Sequence, residues 1–203
     1  MTDKKEARRL NILSQAAELF LERGYERTSM DEINTRLGCS KTTLYKYFPS
    51  KEELFADAIQ STISEQACNA FATIALLQDE SQDLWQGLET FGISYLKLQL
   101  SPMMLNVNRV VIAEGERTGI GEMMYRRGPL RAWQEVGKYF QVAMDKGLMR
   151  QADTQLVAMQ LKGLLESGMV DRRLRGAVLT VSDDEIQQQV FQAIDTFRRA
   201  YQA

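Results

Sequence analysis

The sequence predicts an all-α fold. Apolar residues recur at i, i+3, i+4 and i+7 along most of the 203-residue chain, and no alternating apolar–polar run marks a strand. The three prolines, Pro49, Pro102 and Pro129, each stand where a helix can start or stop.

Taken in order, roughly nine helices are expected. The first covers about residues 5–23, with Leu13, Ala16, Ala17 and Phe20 on its inner face and Gly24 as a left-handed stop. A short helix follows over 30–37. Ser29 with Glu32 can cap it as a reciprocal pair, and Thr28 with Asp31 is the neighbouring option. Gly38 ends it, and Ser40 caps a third helix running to Phe48. After Phe48-Pro49-Ser50 a long fourth helix begins near Lys51, its period kept by Phe55, Ile59, Thr62, Ile63, Ala70 and Ile74. Ser81 opens a fifth, to about Leu100, and Ser101-Pro102 opens the next. Gly115, Gly119 and Gly121 interrupt the chain before a helix that ends at Lys146-Gly147. Helices over 154–171 and 183–201 close the protein, the last capped by Ser182 and Glu185.

Composition narrows the function. With 44% apolar and 26% charged residues the chain can bury a core and remain soluble. No run approaches the roughly 18–20 uncharged apolar residues of a membrane span, and Met1 to Arg9 lacks the apolar core of a secretion signal. Cys39 and Cys68 are too few for a disulfide scaffold, so a cytoplasmic protein is expected. The absence of histidine removes histidine bases, histidine triads and most zinc or iron sites. No phosphate-binding glycine loop and no nucleophile elbow is present. The chain is read as no enzyme, without cofactor or metal. Its net charge of −2 is unevenly placed: residues 1–51 hold ten Lys/Arg against seven Asp/Glu, and residues 52–203 hold fifteen against twenty. A basic head on an acidic body orients one end toward a polyanion.

The segment from Gly24 to Lys51 carries the chemistry. Two short helices meet at Gly38-Cys39-Ser40, where glycine permits a tight turn. Ile33 and Leu37 on one, with Leu44 and Phe48 on the other, supply inner faces. This is a helix-turn-helix pattern over about residues 29–48, whose second helix can enter a major groove. Lys41, Thr42, Thr43, Tyr45, Lys46 and Tyr47 would face outward, side chains suited to phosphates, base edges and thymine methyls. Periodicity and charge alone leave two readings open: a DNA-binding head, or a helical protein–protein adaptor whose tyrosine-rich surface meets another protein. A redox role for Cys39 ranks below both, since no resolving cysteine lies near it in sequence.

The same segment resembles the DNA-binding signature of the TetR/AcrR family. The matching residues are Gly24, Tyr25, Thr28, Ser29, Ile33, Gly38, Ser40, Leu44, Tyr45, Tyr47, Phe48, Ser50, Lys51, Glu52 and Leu54. The chain departs from the pattern at Asn34, where alanine is usual, at Cys39, where valine is usual, and at Thr42, where many members have glycine. The resemblance implies that Thr28 and the helix start at Ser29, with Tyr45, Tyr47 and Lys51, hold phosphates. It turns Lys41, Thr42, Thr43 and Lys46 toward the bases, with Ser40 capping their helix.

The resemblance also implies an architecture. An N-terminal three-helix helix-turn-helix domain, residues 1–50, precedes a larger C-terminal helical domain for ligand binding and dimerisation, residues 51–203. The stretch Arg109-Val110-Val111-Ile112-Ala113-Glu114, with Tyr125, Gly128-Pro129 and Asp145-Lys146-Gly147-Leu148, is loosely similar to the AefR-like subgroup. Leu161, Leu164, Leu165 and Gly168 line one helix near the end of the chain; Ile186, Val190, Ile194, Phe197 and Tyr201 line the other. They fit a four-helix homodimer interface or packing within their own domain. Trp85, Phe91, Tyr95, Met103, Met104, Trp133, Phe140 and Met144 fit the lining of a pocket for a small apolar or amphipathic effector, or plain core filling. Glu114 and Arg117 fit polar anchors or a solvated face. The expectation is a repressor, bound to a palindromic operator in double-stranded DNA and released by a small molecule.

Overall fold

The computed structural model describes residues 2–75 and 83–203. They form eleven α-helices: α1 Thr2–Arg23, α2 Met30–Leu37, α3 Lys41–Tyr47, α4 Lys51–Ala75, α5 Leu84–Gln99, α6 Pro102–Thr118, α7 Ile120–Arg127, α8 Pro129–Asp145, α9 Thr154–Glu166, α10 Val170–Leu174 and α11 Asp183–Tyr201. The all-α class holds. Among the described residues the nearest thing to sheet is a single bridge between Met149 and Gln202.

Differences from the expected elements have local causes. The Ser81 start lies outside the described residues; α5 is capped instead by Asp83, whose carboxylate accepts from the backbone of Trp85 and Gln86. Gly115 does not stop α6. The break falls at Gly119, which takes the left-handed conformation at φ +75°, and Gly121 lies inside α7. Gly115 and Gly121 pack backbone to backbone across that corner, where a Cβ on Gly121 would lie 3.1 Å from the Cα of Gly115. The helix expected over 154–171 ends at Glu166, and α10 follows the left-handed Gly168.

Residues 1–65 and 110–124 form one compact unit, and residues 66–109 and 125–203 form another. The long helices α4 and α6 contribute to both. In the first unit α1 buries Ile12, Leu13, Ala16, Ala17 and Phe20 with Ile33, Leu44, Phe48, Leu54, Phe55 and Ile59. The guanidinium of Arg36 on α2 ties that helix to α1 through Glu22 at 2.7 Å and Glu18 at 3.1 Å. The second unit is a helical layer in which α9 packs on α8 and α11, and α11 on α5. Its core holds Leu88, Phe91, Tyr95, Trp133, Phe140, Val157, Leu161, Leu165, Val190, Ile194 and Phe197.

Gly92 sets how closely α5 approaches its neighbours. A Cβ there would lie 2.9 Å from both a methyl of Leu165 on α9 and a methyl of Val190 on α11. Alanine in a helix interior gains up to about 1 kcal/mol over glycine, but overpacking a tight core costs roughly 1–3 kcal/mol. Gly92→Ala is therefore expected to destabilise the protein by about 1–2 kcal/mol. Urea unfolding followed by far-UV circular dichroism measures it; an unchanged or raised midpoint would show that α9 and α11 yield freely.

Candidate DNA-binding site

The helix-turn-helix is built from its caps. The Ser29 hydroxyl accepts from the Glu32 backbone at 3.2 Å, while the Glu32 carboxylate accepts from the Ser29 backbone at 2.8 Å. Both orphan donors at the start of α2 are thus met, and the first of the two capping options is the one realised. These bonds, from the Ser29 backbone first, hold the Glu32 carboxyl below its ordinary pKa. Gly38 closes α2 in the left-handed conformation, φ 58° and ψ 34°. Ser40 then caps α3, accepting from the Thr43 backbone at 3.2 Å.

The turn also explains two departures from the family pattern together. The Cys39 thiol donates to the side-chain oxygen of Asn34 at 3.1 Å. The sequence shows them as separate oddities; in space they are partners across the turn.

Leu44 of α3 is fully buried, and Phe48, which follows the helix, nearly so. With 3.6 residues per turn, residues two before and two after Leu44 lie on the opposite side of the helix. Thr42 and Lys46 accordingly point to solvent, flanked by half-buried Thr43 and by Tyr45, which is 48% exposed. Ser29, Ser40 and Lys41 are exposed, and Tyr47 is half-buried. Lys41 is held by Asp31 of α2 at 2.7 Å, and that hydrogen-bonded partner raises its pKa.

Two expected phosphate ligands are placed differently. Thr28 is fully buried: its hydroxyl donates to the Gly24 carbonyl at 2.8 Å, with the Leu19 carbonyl at 3.3 Å. Its side chain closes the bend between α1 and α2 and offers nothing to a phosphate, because its one proton is engaged inside. The Lys51 ammonium is half-buried, 4.0 Å from the ring centroid of Tyr25. Desolvation lowers its pKa against the opposing pull of Glu26, Glu52 and Glu114. The Tyr25 hydroxyl in turn donates to Glu52 at 3.0 Å, and its ring packs edge-on against Phe55. Burial first, then this bond, pushes the Tyr25 phenol well above its ordinary pKa.

Residues 12–58 match the family described as bacterial regulatory proteins, tetR family, and residues 86–203 match the AefR-like transcriptional repressor C-terminal domain. The chain belongs to the TetR family. It is 34% identical over 87 residues to the HTH-type transcriptional activator FasR of Mycolicibacterium smegmatis, an alignment covering 43% of this chain and 40% of that protein. It is 32% identical over 85 residues to the negative regulator IcaR of the biofilm operon of Staphylococcus epidermidis, covering 42% and 43%. These alignments thus span less than half of each relative. Likeness to solved structures runs the full length. A TetR-family transcriptional regulator of Mesorhizobium loti superposes at TM-score 0.86 with 26% identity over 98% of both chains. The flavonoid-responsive regulator FrrA superposes at 0.74 with 27% identity over 97% of this chain and 98% of that one. TetR-family regulators bind DNA and act as dimers.

The residues expected at a dimer interface divide sharply. Leu161, Leu165, Ile186, Val190, Ile194, Phe197 and Tyr201 are buried within their own unit, where the Tyr201 hydroxyl also bonds Gln160. Leu164 is half-buried against the same core, and Gly168 is an exposed left-handed stop after α9. These stripes are inner faces. The outer faces of α9 and α11 carry Leu156, 54% exposed, and Phe191, 63% exposed, which periodicity passed over.

The expected effector residues also lie inside the second unit. Trp85, Phe91, Tyr95, Met104, Trp133, Phe140 and Met144 are buried, and Met103 is half-buried. Phe91, Tyr95 and Trp133 contact one another and Phe71, with ring centroids 5.1 to 6.1 Å apart. The Tyr95 hydroxyl donates to Glu166 at 2.5 Å beside Lys162, and the indole N–H of Trp133 lies against it. Glu114 and Arg117 pair with each other, and Arg117 reaches Glu26 at 2.9 Å, tying α6 to the bend after α1.

Thr28→Val keeps shape and removes the hydroxyl. It is expected to lower unfolding free energy by about 1 kcal/mol, since the bond to the Gly24 carbonyl is lost. The salt dependence of DNA affinity should stay as in the parent. A reduced slope by fluorescence anisotropy would return Thr28 to the phosphate ligands.

Proposed function

We propose that this protein is a dimeric, operator-binding repressor that a small apolar or amphipathic molecule releases from DNA. The observation that carries the reading is α3: its one fully buried residue, Leu44, turns Thr42 and Lys46 outward, beside exposed Lys41 and Tyr45. The family membership and the repressor-type C-terminal match over residues 86–203 support it. Phosphates are held by Ser29 at the start of α2, by Ser40, Tyr45, Tyr47 and Lys51; bases are read by Lys41, Thr42, Thr43 and Lys46. Lys41 and Lys51 exchange their contacts with Asp31 and the Tyr25 ring for the DNA backbone and bases. Duplex DNA presents one negative charge per roughly 1.7 Å, so the exchange is favoured at low salt.

One such helix buries too little for specificity, and two related by two-fold symmetry read both halves of a palindrome about 34–36 Å apart, or a multiple of that. The second copy docks on the faces of α9 and α11 that the protomer leaves open, with Phe191 and Leu156 as the apolar anchors. An exposed aromatic is the type of side chain that dominates such interfaces. The effector enters the core around Phe91, Tyr95 and Trp133, where aromatic and methionine side chains repack readily and Tyr95–Glu166 offers a polar contact. It shifts the equilibrium by its differential affinity for two states of the body. Because α4 and α6 contribute to both units, either helix carries that change toward the head.

Three measurements test this reading. Selection of duplexes from a random pool should return a palindrome, and candidate effectors should release it; a protein that ignores every duplex at low ionic strength loses the assignment. Thr42→Ala should alter preference at particular base pairs by roughly 1–3 kcal/mol, whereas a uniform loss across the selected pool would make Thr42 a positioning residue. Phe191→Asp should convert dimer to monomer in sedimentation while leaving the helical spectrum intact. A dimer that survives it places the interface elsewhere.

A further inference from the structure

We propose that the first two turns of α1 form a second DNA contact, an arm in which Lys4, Lys5 and Arg8 hold backbone phosphates flanking the half-site that α3 faces. The proposal rests on the operator-binding reading and extends it. Its starting point is Arg9. The Arg9 guanidinium bonds Asp57 of α4 at 2.5 Å and lies 5.6 Å from the ring centroid of Phe48, the residue that caps α3. Arg9 is therefore an internal anchor that fixes the second turn of α1 against the end of the recognition helix. Lys5 lies one turn earlier on the same face, and Arg8 is its i+3 neighbour. From Arg9 back to Lys4 the helix axis runs on by about 7 Å.

The charge of the head decides what that extension meets. Four of the ten Lys/Arg in residues 1–51 are matched inside the chain: Arg9 by Asp57, Arg23 by Glu32, Arg36 by Glu18 and Glu22, and Lys41 by Asp31. Lys4, Lys5 and Arg8 are exposed and have no ion-pair partner among the described residues. Lys46 on the outer face of α3 is in the same position. Of the six cations without an ion pair among the described residues, three stand on the first turns of α1 and Lys46 on α3, joined by the contact of Arg9 with Phe48; Arg27 stands in the bend after α1, and Lys51 lies over the Tyr25 ring. Helix electrostatics work against cations in a first turn, because the backbone dipole is already positive there. A polyanion alongside reverses that cost, and duplex DNA on α3 is the polyanion the fold brings to this place.

The test is the triple variant Lys4→Gln/Lys5→Gln/Arg8→Gln. Its side chains are solvent-exposed, and circular dichroism verifies that the fold is kept. A charge-matched control, Lys138→Gln/Arg175→Gln/Arg199→Gln, removes three cations from the body. The probe is a labelled random-sequence duplex of about 40 base pairs, roughly four helical turns, titrated by anisotropy over a range of salt. Each lost phosphate contact lowers the slope of log affinity against log salt by about 0.9, so the arm variant should lose about two to three per protomer and the control close to none. An arm variant with the parent slope, or one that falls no further than the control, overturns the arm while leaving operator binding intact. A parent protein that binds no duplex overturns both.

Discussion

The burial of Leu44 is the constraint on which the DNA-binding surface depends. Helix α3 has only seven residues, too few to persist by backbone hydrogen bonds alone. It is held by Leu44 and Phe48, both inside the core of the first unit, and each such burial contributes roughly 1.5–3 kcal/mol. The same burial fixes rotation about the helix axis. A helix pinned at positions 44 and 48 has no freedom to present any residues but Thr42 and Lys46 to the opposite side. The orientation of α3 and the stability of the head are thus set together by one packing arrangement, and the caps at Ser29 and Ser40 fix where the helices begin.

A second level of order lies around Tyr25. Its ring stands between Phe20, Phe55 and the Lys51 ammonium, and its hydroxyl meets Glu52. Glu26, next in the chain, receives Arg117 from α6. The start of α4 and the end of α6 therefore converge on one bend. The polar residues of α6 noted in the sequence find their role here, as a tie within the head's own unit.

Much of this was legible in the sequence, and the boundary is physical. Local chemistry was readable: the Ser29–Glu32 pair, the Ser40 cap, the left-handed Gly38 and the buried face of α1 all follow from short-range rules. Gly115 was misread because a glycine marks a break only where the backbone needs positive φ, and that need arose at Gly119. The stripes of α9 and α11 were legible as apolar and illegible as to partner. Periodicity reports that Leu161 and Ile194 face something, and it does not say whether that is α8 and α5 or another molecule. Single exposed apolar residues such as Phe191 break no period and so leave no trace in a pattern search. Thr28 was misassigned for a related reason: a threonine before a helix start suits a phosphate or a buried carbonyl equally, and only three dimensions choose.

The Asn34–Cys39 contact makes the two departures from the family pattern a single local solution. Alanine at 34 alone would strand a thiol without its acceptor, and valine at 39 alone would set an amide against methyl groups. The usual family residues avoid both costs by being apolar together.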